Sequence, residues 1–586
     1  MKILGVSFDF HDSASALLVD GQVVAAAQEE RFSRIKHDSD LPAASIAYCL
    51  DQAGIGSADL DFIAYYEKPV LKFDRIVKSS LRRLGHGGWG YLQDTFSAWV
   101  TERRFRPMDR LAEHLSVPGE KIWNCRHHAS HAATAFYGSP FDQAAVVTLD
   151  GVGEHETATI SRAQGSSIET LSAGCLPHSL GLLYSAVTAY LGFEVNEGEY
   201  KVMGMAAYGK PTLYDEFRSL VTLLPNGLFK IDQTHFDFLC PVELPFRQSF
   251  VDWLGPPRAP DTLFDIGESA DPGLREQCLH YANIAASLQK VAEEVILHVA
   301  AAAMRQANSG NLCMAGGVAL NSLANGRIIR ELGANLYVHP AAGDAGGALG
   351  AALECHCRKG GSRPPGLRSA YLGPSYGAAE IRAAIDAGGF SKVEHFEDEG
   401  DLVRATADLL NRKKVVGWFQ GRSEWGPRAL GNRSILANPT SADMQRIVNE
   451  SIKFREPFRP FAPAVPLESA ADYFEMDVPA HETAPEYFMI AVHRVREEKK
   501  RIIPAITHAD GTARVQVVSE RSNPLFHRLL REFGSIGGVP ILMNTSFNLR
   551  GEPVVERPED ALNTFLASGM DAVVLGPFIV QKGLDL

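Results

Sequence analysis

Residues 2–30, KILGVSFDFHDSASALLVDGQVVAAAQEE, decide the fold. KILGVSF is an apolar run, DFHDS is a polar turn, and two further apolar runs flank Asp20-Gly21. Asp-Gly between apolar runs is a strong hairpin signal, because the favoured two-residue turn needs positive φ at its centre. The stretch therefore predicts three strands joined by tight turns. A related unit recurs at 144–163, AAVVTLDGVGEHETATISRA, where Asp150-Gly151 closes one buried strand before another opens. Two well-separated copies of strand, acidic or glycine turn, strand predict two similar lobes.

Helical segments lie between and after these units. Residues 43–54 read as one, and another begins near His127. Residues 179–192 are apolar all round and predict a buried helix. Residues 281–306 carry Leu288, Val291, Val295 and Val299 at helical spacing. NLCMAGGVALNS (311–322) reads as a strand, the pair Gly316-Gly317 and a helix start. Residues 358–377 are rich in Gly, Pro, Arg and Ser and read as a linker between a first domain, 1–357, and a second, 378–586. In the second, helices at 378–388, 399–412, 440–451 and 558–568 alternate with strands at 414–419, 537–544 and 572–576, an α/β pattern.

Composition narrows the function classes. The chain has 586 residues, 45% hydrophobic and 22% charged, as expected of a globular protein of more than one domain. Its net charge of -13 disfavours tight binding to nucleic acid or an anionic membrane. The eight cysteines form no CxxC pair, so a zinc ribbon or a disulfide framework is not indicated, and reduced thiols in the cytoplasm are expected. The N-terminus turns polar after eight residues and reads as no secretory signal, and no apolar run reaches the length of a membrane helix.

Three places offer chemistry. In CRHHASHAA (125–133), His127 and His131 stand at i and i+4, on one face of a helix, where two imidazoles can share a metal. His128 points elsewhere. Asp150 ends a buried strand, and Asp344 in HPAAGDAGGALG lies between a strand and a Gly-rich helix start. Two His and two Asp make a mixed N/O site suited to Fe(II), Mn(II) or Zn(II). Glycines are the second place. GMAAYGKPT (204–212) misses the P-loop pattern, since Pro211 replaces the Ser/Thr that would hold Mg²⁺. Gly316-Gly317 and the run Gly343, Gly346, Gly347, Gly350 are better phosphate candidates. Third, residues 411–460 hold ten Lys/Arg against four acids. Arg422, Arg428, Arg433, Lys453, Arg455 and Arg459 sit there in Gly/Pro turns beside aromatics, which predicts a pocket for a phosphorylated ligand.

The ordered set DFHDSASALLVDG, EERFSRIKH, HHASHAA, TLDGVGE, GEYKVMGMAAYG, AGGVALN, GDAGGALGAAL, GRSEWGPRALGNRSIL, FREPFRPFAP and NTSFNLRGEPVV resembles the NodU/CmcH/TobZ-type O-carbamoyltransferase family. The matches cover nearly the whole chain; residues 65–120 and 212–280 show nothing recognisable. The resemblance implies an α/β protein with a duplicated, actin/hexokinase-like N-terminal domain similar to the TsaD type and a YrdC-like twisted C-terminal domain. It implies that the C-terminal domain makes carbamoyl adenylate from carbamoyl phosphate and ATP with Mg²⁺. The N-terminal domain would then pass the carbamoyl group to a hydroxyl of a small-molecule acceptor. It implies Fe(II), or another divalent transition metal, on His127, His131, Asp150 and Asp344, and His11 as general base. Lys36, Lys201, Gly316, Gly317 and Asn321 match nucleotide-contacting positions, and Asn544 and Ser546 join the C-terminal site. No nucleic-acid or membrane partner is expected, and the sequence leaves the oligomeric state open. Two other readings stay open: a tRNA threonylcarbamoyl-type enzyme and a non-catalytic actin-like nucleotide-binding protein.

Overall fold

The computed structural model describes residues 1–83, 88–239, 244–267, 270–477, 479 and 481–582. It divides into two compact units, residues 1–26 with 39–367, and residues 27–38 with 368–586. The second break falls inside the 358–377 linker. The first has no sequence counterpart: residues 27–38 pack with the second unit. Arg31 donates to the carbonyl of Gly426, and Arg34 to those of Pro553 and Val554.

The first unit holds two sheets of the same design. β1 (Lys2–Ser7), β2 (Ala14–Val19), β3 (Gln22–Gln28), β4 (Phe62–Tyr65) and β5 (Ile122–Asn124) stand in the order β3-β2-β1-β4-β5. β1 runs antiparallel to β2 and parallel to β4, which runs parallel to β5. β6 (Gln143–Leu149), β7 (Glu156–Gln164) and β8 (Ser167–Cys175) open the second sheet, and the hairpin β9 (Val221–Leu223) and β10 (Phe229–Ile231) stands apart from it. β11 (Asn311–Ala315) and β12 (Asn335–Val338) complete the order β8-β7-β6-β11-β12, with the same pattern of antiparallel and parallel neighbours. Strand order thus matches position by position, which is the internal duplication read from the two strand–turn–strand units; the counterpart of Asp150-Gly151 after β6 is the DFHDS turn after β1, while Asp20-Gly21 joins β2 to β3. β1 and β6 are the middle strands of their sheets and are buried along nearly their whole length, as strands covered on both faces are.

Each sheet delivers a helix after its last strand: His127–Gly138 after β5, and Asp344–Arg358 after β12. Both are rich in Ala and Gly, and the two pack on each other at backbone distance. A Cβ on Gly350 would lie 1.9 Å from the carbonyl oxygen of Ser130, and one on Gly5 of β1 would lie 1.9 Å from that of Ala348. Thr134 donates to the carbonyl of Gly346 at 2.8 Å. Gly346, Gly347 and Gly350 of GDAGGALG are therefore packing glycines, whereas a Cβ on Gly343 would meet nothing within 4 Å. The phosphate reading of Gly346, Gly347 and Gly350 is corrected accordingly, since each is walled in by Ala341, Tyr66, or Ser130 and Thr134.

The helix expected at 281–306 runs further, Pro272–Ala307, with Asp271 as N-cap and Pro272 at its first position. In the second unit, β13 (Lys392–His395), β14 (Val416–Phe419), β15 (Arg433–Ala437) and β16 (Ala462–Pro466) belong to an eight-stranded mixed sheet. β17 (Phe474–Glu475), β18 (Val492–Val495) and β19 (Thr512–Arg514) form a small separate sheet. β20 (Gln516–Val518), β21 (Leu542–Ser546), β22 (Ala572–Leu575) and β23 (Phe578–Gln581) complete the large one, in the order β13-β23-β22-β14-β15-β21-β16-β20. Helices Glu399–Asn411 and Pro524–Gly537 cover it through Leu402, Leu410, Phe526, Leu530 and Phe533. The helix expected over 440–451 is shorter, Asp443–Ile447, and continues as a π-helical turn over Val448–Lys453.

Gly350→Ala is expected to lower stability by about 1–3 kcal/mol, because the added methyl must push two backbones apart. Gly310→Ala, where a Cβ meets nothing within 4 Å, should stay within about 0.5 kcal/mol of the parent. Thermal midpoints of the two variants check this; equal midpoints would show that the helices tolerate separation.

Candidate functional site

The duplicated lobes bring four side chains of the first unit together. His127 and His131 lie on the first two turns of their helix, Asp344 is the first residue of its own, and Asp150 follows β6 directly. Their donor atoms lie within 4.8 Å of one another. His127 Nε2 is 3.0 Å from Asp150 Oδ2, 3.1 Å from His131 Nε2 and 3.6 Å from Asp344 Oδ1. His131 Nε2 is 3.4 Å from Asp344 Oδ1 and 3.8 Å from Asp150 Oδ2. Donors sharing one ion at about 2.1 Å stand about 3.0–3.5 Å apart, so the set fits a single transition-metal cation. Two imidazole Nε2 atoms facing each other at contact distance also need a shared cation or proton between them.

Charge supports the same fit. Burial disfavours a charged His131, yet Asp150 and Asp344 outweigh it and hold the imidazole up to about 9. His127 is raised in the same way, against its burial, by Asp344 and Asp150. The cluster thus has an excess of buried negative charge that a divalent cation would neutralise. His128 is outside the set: it bonds Thr148 Oγ1 and the carbonyl of Glu156, and burial drives it down to about 3.

Neighbours fix the ligands. Gly317 N–H donates to Asp150 Oδ1 at 3.0 Å. Gly316, at φ +91°, has no room for a side chain, since a Cβ would meet the carbonyl of Leu149 at 2.2 Å. Glu154, buried, accepts the N–H of His127 through both oxygens at 2.9 and 3.1 Å, and that of Lys68 at 2.9 Å. It neutralises the helix N-terminus that carries the imidazoles. Sequence reasoning passed over Glu154, although it lies in the same TLDGVGE stretch as Asp150.

His11 stands at the rim. Its Nε2 is 3.9 Å from Asp344 Oδ2, and its Nδ1 is 3.0 Å from Asp12 Oδ2. Nδ1–H donating to Asp12 leaves Nε2 as the acceptor. Burial opposes the charged form, but Asp12, Asp344 and Asp150 together hold the imidazole up to about 9. A cation among the carboxylates would offset that pull.

The second unit carries a different kind of site. The π-helical turn ends at Lys453, and Phe454 follows with φ +48°, a left-handed conformation uncommon for a bulky residue. Lys453 Nζ is buried and donates to the carbonyls of Ser546 and Asn548, 2.9 and 2.7 Å away, and lies 3.3 Å from Ser546 Oγ. Burial, then Arg455, Arg459 and Lys36, push its pKa well below the usual lysine range. Asn548, absent from the sequence-level candidates, also meets Lys453 through its side chain and accepts from Ser546 Oγ at 2.7 Å. Lys36 lies in the stretch 27–38 that groups with the second unit and acts on Lys453 electrostatically.

Matches to known proteins now bear on these two sites. A model described as carbamoyltransferase N-terminus matches residues 2–353, and one described as carbamoyltransferase C-terminus matches 407–582. The chain belongs to the carbamoyltransferase family. It is 40% identical to the uncharacterized protein sll1178 of Synechocystis sp., over 99% of this chain and 96% of that protein. It is 37% identical to nodulation protein NolNO of Sinorhizobium fredii, over 98% and 79%. To nodulation protein NolO of Bradyrhizobium diazoefficiens it is 38% identical, over 78% of each. Among solved structures, component A of the Acidaminococcus fermentans (R)-2-hydroxyglutaryl-CoA dehydratase is similar over 60% of this chain and 96% of its own, at 15% identity and a TM-score of 0.30. HypF of T. kodakarensis is similar over 62% and 49%, at 13% identity and a TM-score of 0.30.

Within this carbamoyltransferase several of the expected ligand residues also make bonds inside the protein. Arg433 is fully buried and donates to the carbonyls of Gln420, Gly421, Asn432 and Pro374, stacks on Phe419 and pairs with buried Glu556 at 3.5 Å. Arg422 donates to the carbonyls of Leu372 and Gly373. Asn321 caps the Ser322–Leu332 helix and exchanges two hydrogen bonds with Gln289. Each of these three side chains thus braces its surroundings through bonds within the protein. Lys201 lies over the Phe193 ring, 5.7 Å from its centroid. Arg455 bonds Asn449 and covers Phe461, Arg459 pairs with Glu456, and Arg428 is half-buried in its loop. Asn544 donates to Gln516 at 2.7 Å, and its buried Oδ1 makes no hydrogen bond.

Purified protein is expected to hold about one transition-metal ion per chain, and Asp344→Ala should lose it. Metal analysis after dialysis against a chelator and reloading checks this. Wild-type and variant protein with equal metal content would remove the site.

Proposed function

We propose that this carbamoyltransferase uses ATP and carbamoyl phosphate to make carbamoyl adenylate and carbamoylates a hydroxyl of a small-molecule acceptor. The observation that carries the reading is the pairing of chemistries in one family member: a carboxylate-rich cluster with His11 at its rim in one unit, and the Lys453 cluster in the other.

The Lys453 cluster suits an anionic substrate. Arg455, Arg459 and Lys36 each act against the charge on Lys453, so a bound phosphate group would relieve that repulsion. Water would attack carbamoyl phosphate there, forming carbamate as the bond to the departing inorganic phosphate breaks. A carbamate oxygen then attacks the α-phosphorus of ATP, and the bond to the departing pyrophosphate breaks. Fixed cations neutralise charge developing on the phosphoryl oxygens, with Mg²⁺ accompanying the ATP.

In the first unit, His127, His131, Asp150 and Asp344 would hold the divalent metal, Fe(II) by family resemblance. When bound it supplies Lewis-acid neutralisation of the phosphate leaving group. His11 takes the acceptor's proton at Nε2 while Asp12 holds Nδ1–H, and the acceptor oxygen bonds to the carbamoyl carbon as the bond to the AMP oxygen breaks. Asp344 reaches both functions: Oδ1 faces the imidazoles and Oδ2 faces His11.

Two variants separate the half-reactions. Lys453→Ala should lower carbamoyl-phosphate-dependent exchange of pyrophosphate into ATP by about 10²-fold or more. His11→Asn should leave that exchange intact while lowering carbamoyl transfer by about 10²–10⁴-fold. Exchange lost in both, or in neither, would refute the assignment of the steps.

A further inference from the structure

The insertion between β4 and β5 matches none of the chemistry above, and its surface is unlike the rest of the chain. Residues 68–115 hold ten Lys/Arg against five Asp/Glu, net +5 in a chain of net -13. They form helices Pro69–Arg82, Gly88–Thr101 and Pro107–Leu115. Five large apolar side chains on the first two helices face outward: Val70 is 71% exposed, Leu81 53%, Trp89 59%, Phe96 52% and Val100 53%. Trp89, Phe96 and Val100 follow at i, i+7 and i+11, one stripe of one helix. Beneath the stripe, Phe73, Phe96, Trp99 and Phe105 contact one another with centroids 4.6–6.1 Å apart, so the apolar face has a stiff base. Lys78, Arg82, Arg103 and Arg106 of the same insertion are exposed, Lys78 paired with Asp74, Arg103 with Glu113 and Arg106 with Asp109 at the surface.

We propose that this helical insertion is a docking surface for a bilayer containing anionic lipid. A cluster of exposed apolar groups of this size marks an interaction site. Cations in the same segment as an apolar stripe with a tryptophan at one end are what an interfacial helix presents to headgroups and acyl chains. Charge complementarity selects an anionic partner. Three of the five apolar groups are aliphatic, and aliphatic side chains gain little from stacking on bases, which favours lipid over RNA. The insertion lies on the surface and does not span: among the described residues no helix is long and apolar enough to cross a membrane. It is tied to the metal cluster through Lys68, whose N–H is held by the same Glu154 that holds His127. Overall negative charge pointed away from membranes; the local reversal of sign lies in the stretch where the sequence showed no motif.

The test is co-sedimentation of the full-length protein with phosphatidylcholine vesicles, with and without about 30% phosphatidylserine, at two salt concentrations. Binding is expected only to the anionic vesicles and should weaken with salt. The triple variant Trp89→Ser, Phe96→Ser, Val100→Ser should bind about tenfold or more weakly. Lys78→Gln with Arg82→Gln and Arg106→Gln should reduce binding by about fivefold per charge removed. Circular dichroism and thermal midpoints establish that each variant folds; a triple variant that fails to fold leaves the decision to the charge variant. Equal sedimentation with neutral vesicles, or charge-variant binding equal to wild type, overturns the proposal. Binding to total tRNA instead of vesicles, or a dimer lost in the apolar variant, also overturns it and assigns the face to RNA or to a second copy of the chain.

Discussion

The close approach of two helices governs the first unit. His127–Gly138 and Asp344–Arg358 occupy equivalent places in the two lobes, each directly after the last strand of its sheet. Glycine at 350 lets the second helix rest on the carbonyl of Ser130, and glycine at 5 lets the same helix rest on β1. With both contacts at backbone distance, the N-termini of the two helices converge. One then contributes two imidazoles and the other a carboxylate. β6 supplies Asp150, and the turn after β1 supplies His11. A side chain as small as a methyl at 350 would move these groups by an appreciable fraction of a metal–ligand bond length.

The two sites follow opposite electrostatic logic. In the first, carboxylates are in excess: two buried aspartates raise both ligand imidazoles, and Asp12 adds a third carboxylate beside His11. Such a site attracts a cation, and the helix N-terminus at Asp344 steadies its carboxylate. In the second, cations are in excess. Lys453 is surrounded by neutral oxygens of Ser546 and Asn548, and its charged neighbours Arg455, Arg459 and Lys36 disfavour its protonation. That environment attracts an anion.

Much of the first site was legible in the sequence because its determinants are local. Helical i, i+4 spacing joins His127 to His131, and Asp-Gly punctuation marks the strand end at Asp150. The duplicated lobes were legible for the same reason. The second site was harder to read, because an arginine looks the same whether it binds phosphate or a carbonyl. Arg433 and Arg422 satisfy backbone carbonyls of Leu372, Gly373 and Pro374 some 50 to 60 residues away, and Arg433 also those of Gln420, Gly421 and Asn432 in its own loop. Lys36 joins the second unit across some 400 residues, and nothing in EERFSRIKH announces it. Glycine is equally ambiguous: in GDAGGALG it serves helix packing, while at Gly316 it serves the turn that seats Asp150.

Partner type separates the framework cation from the functional one. Arg433 has a buried carboxylate, Glu556, within 3.5 Å, and that acid is itself raised by burial and lowered by Arg433. The charge of this pair is cancelled where it stands, and it stiffens the loop while adding little field. Lys453 is bonded to neutral oxygens and has Glu552 only as a more distant compensating charge, so its charge is cancelled less completely than that of Arg433. A preorganised site needs both: a loop locked by internally satisfied charges, and beside it a cation left to act on the substrate. The left-handed Phe454 fits the same division, since a backbone conformation uncommon for its residue type is maintained only where surrounding packing enforces it.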